Sequence, residues 1–191
     1  MPGNFMVTGS PGSGKTTLVV KLLERLAAAG FKVEGFVTEE IREGSQRVGF
    51  EVRDLGGNAM VLAHTGYKGK HRVGKYGVDL EAFERIALQA LETAKKEADL
   101  LVVDEIGRME LASAHFRSAL LELLDIPVPL LATVHAGSDP FTASILARED
   151  VFVYRLTRAE RDRGLEVIDG SLRRILTERR VSAEPEGGKG S

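Results

Sequence analysis

The feature that most constrains the fold of this 191-residue chain is the segment 4–16, which reads NFMVTGSPGSGKT. Its start, Phe5-Met6-Val7, is a short apolar run of the kind that forms a buried strand. Glycines follow at positions 9, 12 and 14, and then come a lysine and a threonine. Leucine and valine recur at helical spacing from Leu18 to Leu26. The order of strand, glycine-rich loop and helix predicts the start of an α/β fold.

The loop Gly9–Thr16 fits the pattern G-x-x-x-x-G-K-[ST], called Walker A. Its glycines remove the Cβ atoms that would keep backbone N–H groups away from an enclosed anion. Lys15 would supply positive charge to the β- and γ-phosphates, and Thr16 a hydroxyl ligand for Mg²⁺. The N-terminus of the following helix adds a partial positive charge. This pattern predicts a triphosphate site.

Composition limits the class of protein. Hydrophobic residues make up 43% of the chain and charged residues 28%, with a formal net charge of −2 and no cysteine. These values predict a globular protein without disulfides or thiolate metal sites, and they give no basic signature for nucleic acid or a membrane surface. We expect a cytoplasmic monomer with one domain over residues 1–182 and a disordered tail at 183–191.

Apolar patterning predicts the remaining elements. Strands are expected at 32–41, 48–55, 58–63, 76–78, 100–103, 128–134 and 151–156. Helices are expected at 79–98, 113–124 and 139–148, and around 165–176. We interpret 33–63 as antiparallel strands that continue or flank the main sheet. For the basic, glycine-rich stretch 64–75, a mobile surface loop and a loop on the phosphate or substrate side are both open.

Helices that alternate with continuous apolar strands predict a three-layer α/β fold. Its sheet is mainly parallel, with helices on both faces and additional antiparallel strands. Ligands of such sheets bind at the carboxyl ends of the strands.

A second motif supports the first. The apolar strand Leu100–Val103 ends in Asp104, which fits a Walker B carboxylate that reaches the Mg²⁺ shell. The adjacent Glu105 is placed to orient or deprotonate an attacking water. A helix-capping or salt-bridged Glu105 is the alternative.

Other polar residues near the predicted strand ends have weaker signals. Thr133 and His135 end the strand after Walker B, where a side chain could contact the γ-phosphate, although structural roles are equally open. Arg108 could act on the transition state or be an ordinary loop residue. Further arginines follow the last strand, where one could cover the triphosphate or the whole run could be a solvated face: Arg155, Arg158, Arg161 and Arg163. The four histidines lack metal-ligand spacing, so no zinc site is predicted.

Several segments together resemble one family. They are GFVTEEIR at 35–42, RVGFEV at 47–52, VGKYGVDL at 73–80 and DEIGRMEL at 104–111. With the Walker A loop, they are similar to the thermophile-type P-loop nucleoside-triphosphatase family, which includes the human cancer-related nucleoside-triphosphatase. The resemblance covers about residues 3–175.

This resemblance implies a P-loop α/β fold and Mg²⁺-dependent hydrolysis of several nucleoside triphosphates to diphosphate and phosphate. It also implies that the nucleotide lies against the segments 9–16 and about 100–107. The catalytic residues predicted are Glu105 and Lys15, and the metal ligands are Thr16 and Asp104. The predicted nucleotide-binding residues are Gly9, Ser10, Pro11, Gly12, Ser13, Gly14, Lys15, Thr16, Thr17, Asp104, Glu105, Ile106, Gly107 and Arg161.

One position departs from the family pattern. The family usually has Asn-Arg-Asp or Asn-Arg-Asn near the last strand, whereas this chain has Glu160-Arg161-Asp162. Any role of the asparagine in holding the base or a lid is therefore in doubt here.

Two other functions use the same loop. A small-molecule or nucleotide kinase would use the arginine run as a lid and the basic stretch to hold an acceptor. A guanine switch would fit the D-x-x-G pattern at 104–107, but such switches read guanine with Asn-Lys-x-Asp, which this chain lacks. The sequence favours the hydrolase, with broad base specificity and Glu105 activating water.

Overall fold

The computed structural model describes residues 3–137 and 139–183. In these residues the strands are β1 (Asn4–Gly9), β2 (Val33–Glu43), β3 (Gln46–Asp54), β4 (Ala59–His64), β5 (His71–Val73), β6 (Tyr76–Val78), β7 (Leu100–Ile106), β8 (Leu130–His135) and β9 (Val151–Arg155). The α-helices are α1 (Lys15–Ala28), α2 (Leu80–Glu97), α3 (Ala114–Asp125), α4 (Pro140–Leu146) and α5 (Arg161–Ala183). Short 3-10 turns occupy Glu110–Ala112 and Arg158–Glu160.

Within the described residues, the nine strands form one sheet in the order β5-β6-β4-β3-β2-β7-β8-β1-β9. β2, β7, β8, β1 and β9 run parallel, and β3, β4, β6 and β5 extend the sheet by antiparallel pairing. The predicted fold class is confirmed. The interpretation of the whole of 33–63 as antiparallel strands is wrong for β2, because β2 pairs in parallel with β7 and only its other edge is antiparallel, to β3.

Helices cover both faces of the parallel part of the sheet. On one face, α1 and α5 pack with alternate strand residues such as Val7 and Val102. On the other face, α2, α3 and α4 pack with residues such as Met6 and Val103. Successive residues of a strand point to opposite faces, so strands covered on both sides must be apolar throughout. This is why β1 and β7 read as continuous apolar runs.

Side-chain caps begin three of the helices where the sequence places them. Asp79 accepts a hydrogen bond from the backbone N–H of Ala82 at the start of α2, and Ser113 does the same for Phe116 in α3. Asp139 accepts from the N–H groups of Phe141 and Thr142 in α4. Such caps satisfy backbone donors that have no partner inside the helix.

Several boundaries differ from the sequence-based prediction; for example, β7 reaches Ile106 rather than Val103, and α5 begins at Arg161 rather than near residue 165. The stretch 64–75 is not a continuous loop, since it contains β5, which pairs with β6. α4 ends at Leu146, about two residues early, and α5 includes Ala183. Residues 184–191 of the predicted tail lie outside the described residues, and the single domain over 1–182 stays a prediction. Nowhere in the described ranges is a helix long and apolar enough to cross a bilayer.

Candidate active site

Parallel strand pairing brings the predicted site residues to one edge of the sheet. β1 pairs with β8 so that Gly9 lies opposite His135, and β8 pairs with β7 so that Val134 lies opposite Ile106. The carboxyl ends of these three strands therefore lie side by side. The Walker A loop follows β1, Asp104 and Glu105 lie just before the last residue of β7, and Thr133 and His135 lie at the end of β8.

The lysine of the Walker A loop, or P-loop, makes a hydrogen bond to the backbone of the loop itself. The Nζ of Lys15 donates a hydrogen bond to the carbonyl oxygen of Gly9 across 3.2 Å, and the residue is only 6% exposed. Gly14, just before α1, has a φ of +100°, in the left-handed region that side chains disfavour. The loop thus forms a preshaped cradle at the start of α1, with the dipole of that helix behind it.

Two arginines after β9 bind this loop from outside. The Nε of Arg161 donates to the carbonyl oxygen of Ser13 at 2.7 Å, and a terminal nitrogen donates to that of Gly12 at 3.1 Å. Arg158 also donates to Gly12, at 3.3 Å. The carbonyl oxygens of Gly12 and Ser13 are thereby paired with guanidinium groups outside the loop.

Asp104 is a fully buried carboxylate with one free oxygen. Its Oδ1 accepts a hydrogen bond from the hydroxyl of Thr133. The hydroxyl of Thr16 also acts on the carboxylate and lowers its pKa. Its Oδ2 is buried and has no hydrogen-bond partner among the described residues. Burial raises the pKa of Asp104 to about 6, although both hydroxyls act against the shift. A buried, unpaired carboxylate oxygen beside a threonine hydroxyl fits a hard cation such as Mg²⁺, which prefers oxygen ligands.

Glu105 lies between two nitrogen groups and remains partly exposed. Its Oε2 is 3.9 Å from the Nζ of Lys15, and its Oε1 is 3.3 Å from the Nδ1 of His135. The Glu105 side chain is 29% exposed, so water can reach it. Glu105 is therefore salt-bridged to Lys15 of the Walker A loop, as one half of the alternative role expected, and it does not cap a helix.

Glu110 is a buried acid that the sequence reasoning did not single out. It is 5% exposed, and burial raises its pKa to about 8, with the charges of Glu105 and Asp104 adding to the shift. Backbone N–H groups at Gly107 and at Glu110 itself act in the opposite direction. A Cβ on Gly107 would lie 2.8 Å from an oxygen of Glu110 and 3.3 Å from one of Glu105, so a side chain there would force the carboxylates to shift. The one sequence signal that could have pointed to Glu110 is its place in the segment 104–111, which carries the family resemblance.

The remaining predicted site residues differ in position. Ser10, Pro11 and Thr17 are exposed on or next to the loop, whereas the side chain of Ile106 is buried in the core. Any contact of Ile106 with a nucleotide would therefore use its backbone. Arg108 is exposed on the turn after β7.

Glu160, the departure from the family pattern, has a local role. Its Oε2 accepts a hydrogen bond from the hydroxyl of Thr157 at 2.9 Å, and its Oε1 lies 4.0 Å from Arg163. These contacts close the 3-10 turn that leads into α5, the helix whose first residue is Arg161.

The basic stretch 64–75 lies far from the P-loop. It includes β5, the strand at the far edge of the sheet, and four strands separate β5 from β7. This position gives no support to a phosphate-side role for the stretch.

Comparison with known proteins supports the resemblance seen in the sequence. A family model described as NTPase matches residues 4–168. The nucleoside-triphosphatase THEP1 of Thermotoga maritima is 44% identical over 158 residues, which cover 83% of this chain and 88% of the relative. THEP1 of Thermofilum pendens is 48% identical over 162 residues, covering 83% and 89%.

Solved structures agree with the sequence relatives. The crystal structure of THEP1 from Aquifex aeolicus superposes with a TM-score of 0.81 at 36% identity, covering 88% of this chain and 98% of the other. The solution structure of a human cancer-related nucleoside triphosphatase gives a TM-score of 0.78 at 36% identity, covering 90% and 97%. With its P-loop, its Asp-Glu strand end and these relatives, the chain belongs to the NTPase family.

Proposed function

We propose that this nucleoside-triphosphatase uses Mg²⁺ to hydrolyse the γ-phosphate of ATP, GTP, CTP and UTP, with Glu105 activating the attacking water. The observation that carries the proposal is the position of the Glu105 carboxylate. It is partly exposed and lies 3.9 Å from the Nζ of Lys15, the side chain that would hold the β- and γ-phosphates. A base in that place can reach a water in line with the γ-phosphate.

The metal part of the proposal rests on Asp104 and Thr16. The unpaired Oδ2 of Asp104 supplies a hard oxygen ligand, and the Thr16 hydroxyl next to it supplies another. Few protein ligands suffice for Mg²⁺, which keeps waters and takes phosphate oxygens as its other ligands. Bound there, the ion would neutralise charge that develops on the β- and γ-phosphate oxygens.

The chain's own residues account for the remaining steps. Lys15 would exchange its contacts with Gly9 and Glu105 for the phosphates. Glu105 would then accept a proton from water as the water oxygen bonds to the γ-phosphorus, and the bond from that phosphorus to the bridging oxygen would break. The products are phosphate and the nucleoside diphosphate. Arg158 and Arg161 hold the loop that orients the transferred group.

Broad base specificity is supported by what the two asparagines of the chain do. Asn4 donates to the Leu124 carbonyl and to Asp150, at the amino ends of the strands and thus opposite the P-loop. Asn58 is bound to Asp54 in the turn between β3 and β4. Both are engaged in the fold, so neither is available to read guanine as Asn-Lys-x-Asp switches do.

The test is phosphate release from each of the four triphosphates without any acceptor, with Mg²⁺ or with EDTA, in the parent and in Glu105→Gln. We expect slow, steady turnover of all four that requires Mg²⁺. We expect Glu105→Gln to bind nucleotide normally and to turn over about a hundredfold more slowly. Glu105→Gln at the parental rate would contradict the base assignment. Tight binding with almost no turnover in the parent would instead favour the kinase. The monomeric, cytoplasmic state stays a prediction.

A further inference from the structure

The two oxygens of the Glu105 carboxylate have different neighbours. Oε2 faces Lys15 at 3.9 Å, and Oε1 faces the Nδ1 of His135 at 3.3 Å. If the proposed function holds, a bound triphosphate competes with Glu105 for the charge of Lys15, so the 3.9 Å contact between the two side chains weakens. His135 then remains as a partner of the carboxylate.

The backbone of His135 is well placed for such a role. It is the last residue of β8, a strand that lies between β1 and β7, and it pairs with Gly9 at the start of the P-loop. The chain direction at His135 is therefore set by the same strands that carry the phosphate loop and Glu105. The imidazole is 36% exposed, so the ring has room to align when substrate binds. Such contacts are often loose before substrate binds and tighten in the complex.

We propose that His135 is a positioning residue for Glu105. Its Nδ1–H donates to Oε1 and holds the carboxylate so that Oε2 faces the attacking water. The proposal rests on the proposed function, because it requires Glu105 to be the base. His135 transfers no proton itself in this scheme, so either the Nδ1-protonated neutral ring or the imidazolium can serve.

The competing role for His135 is direct contact with the γ-phosphate. The two roles require different ring atoms to donate. An asparagine at 135 would place an N–H near the position of Nδ1, and a glutamine would place one farther out, near that of Nε2. The two substitutions therefore separate a residue that acts through Glu105 from one that binds substrate.

The test is a set of variants assayed for kcat and KM with ATP and Mg²⁺: His135→Ala, His135→Asn and His135→Gln, each in the parent and in Glu105→Gln. We expect His135→Ala to lower kcat about tenfold, the value of one hydrogen bond to a charged group, and to leave KM within about twofold. His135→Asn should recover most of the loss. In the Glu105→Gln background, His135→Ala should change kcat less than about twofold, because residues that act as a unit are not additive.

The matched control is His115→Ala. His115 lies 3.1 Å from Glu84, so this variant removes another histidine–glutamate contact, one on α3 and outside the site. It should leave kcat and KM unchanged.

Three results would overturn the inference: a rise in KM with His135→Ala, rescue by glutamine rather than asparagine, or an equal loss of kcat in the parent and in Glu105→Gln. A parental rate in Glu105→Gln alone would overturn the proposed function, whereas a slow Glu105→Gln with an unaffected His135→Ala would overturn only this inference.

Discussion

The Nε of Arg161 lies 2.7 Å from the carbonyl oxygen of Ser13 and donates a hydrogen bond to it. This bond joins the first residue of α5 to the P-loop, although 148 positions separate the two residues. The conformation of the P-loop therefore depends partly on a residue near the C-terminal end of the chain. Variants of either partner should change nucleotide binding or stability.

Removal of the guanidinium should weaken nucleotide binding. Arg161→Ala deletes donors to both Ser13 and Gly12, so the loop carbonyls lose charged partners. We expect KM for ATP to rise about tenfold, consistent with the loss of a hydrogen bond to a charged group. Arg163→Ala is the control, because Arg163 is exposed and makes a long contact of 4.0 Å with Glu160 instead of a hydrogen bond to the loop. An equal effect of the two variants would show that the loop contact is unimportant.

Gly14 should tolerate no side chain. An added Cβ would lie 2.7 Å from the Nε of Arg161, and the φ of +100° adds backbone strain of about 1 kcal/mol. Gly14→Ala should therefore lower both the melting temperature and the nucleotide affinity. Gly30→Ala is the matched variant, since Gly30 has a φ of +79° but nothing within 4 Å of the added atom. It should lower stability alone. Unchanged affinity in Gly14→Ala would contradict the prediction.

Lys15→Ala should abolish nucleotide binding and turnover together, because this side chain would carry the positive charge that faces the phosphates. We expect the dissociation constant of ATP, measured by calorimetry, to rise about a hundredfold or more. Lys21→Ala, an exposed lysine farther along α1, should bind like the parent. Normal binding with lost turnover would show that Lys15 acts only in the chemical step.

Thr133 should contribute to stability through Asp104. Thr133→Val keeps the shape of the side chain but removes the hydroxyl that donates to Oδ1 of Asp104. The buried carboxylate then loses a hydrogen bond that water cannot easily replace. We expect the free energy of unfolding to fall by about 1–3 kcal/mol. Thr133→Ser retains the hydroxyl and should lose less. Urea denaturation of the three proteins measures the difference, and equal midpoints for valine and threonine would refute the prediction.

Glu110 should make stability depend on pH. Its pKa is about 8 in the folded protein against an ordinary value of 4.5, so the folded state keeps a proton that the unfolded state loses. The free energy of unfolding should therefore fall as pH rises from about 4.5 to about 8, and then level off. Near pH 7 the penalty is roughly 3 kcal/mol.

Substitution by an uncharged analogue should remove that penalty. Glu110→Gln should resemble the parent in urea midpoint near pH 4.5 and exceed it increasingly up to pH 8. Glu149→Gln, which changes an exposed carboxylate, should show no such trend. A constant difference between Glu110→Gln and the parent at all pH values would mean that Glu110 does not titrate as described.

Local patterns predicted the elements well where one face or both faces are buried. The spacing of apolar residues in α2 and the cap at Asp79 are properties of neighbouring residues, and the structure confirms both. The direction of β2 relative to its neighbours could not be predicted from the sequence. A strand with one parallel and one antiparallel neighbour has no residue pattern that distinguishes it from a strand with two antiparallel neighbours. The segment at β5 is three residues long and polar, too short for a periodic signal.

The sequence by itself determined the P-loop, its flanking strand and helix, and the apolar strand that ends in Asp104-Glu105, because each of these is a contiguous run whose chemistry depends on its own spacing. Only the tertiary structure decided which side chains contact the P-loop and Glu105. The contacts of His135 with Glu105 and of Arg161 with Ser13 depend on strand order and on the docking of α5, and both follow from the burial of apolar faces along the whole chain. Polar residues at strand ends contribute little to that burial, so their positions become visible only once the sheet is assembled.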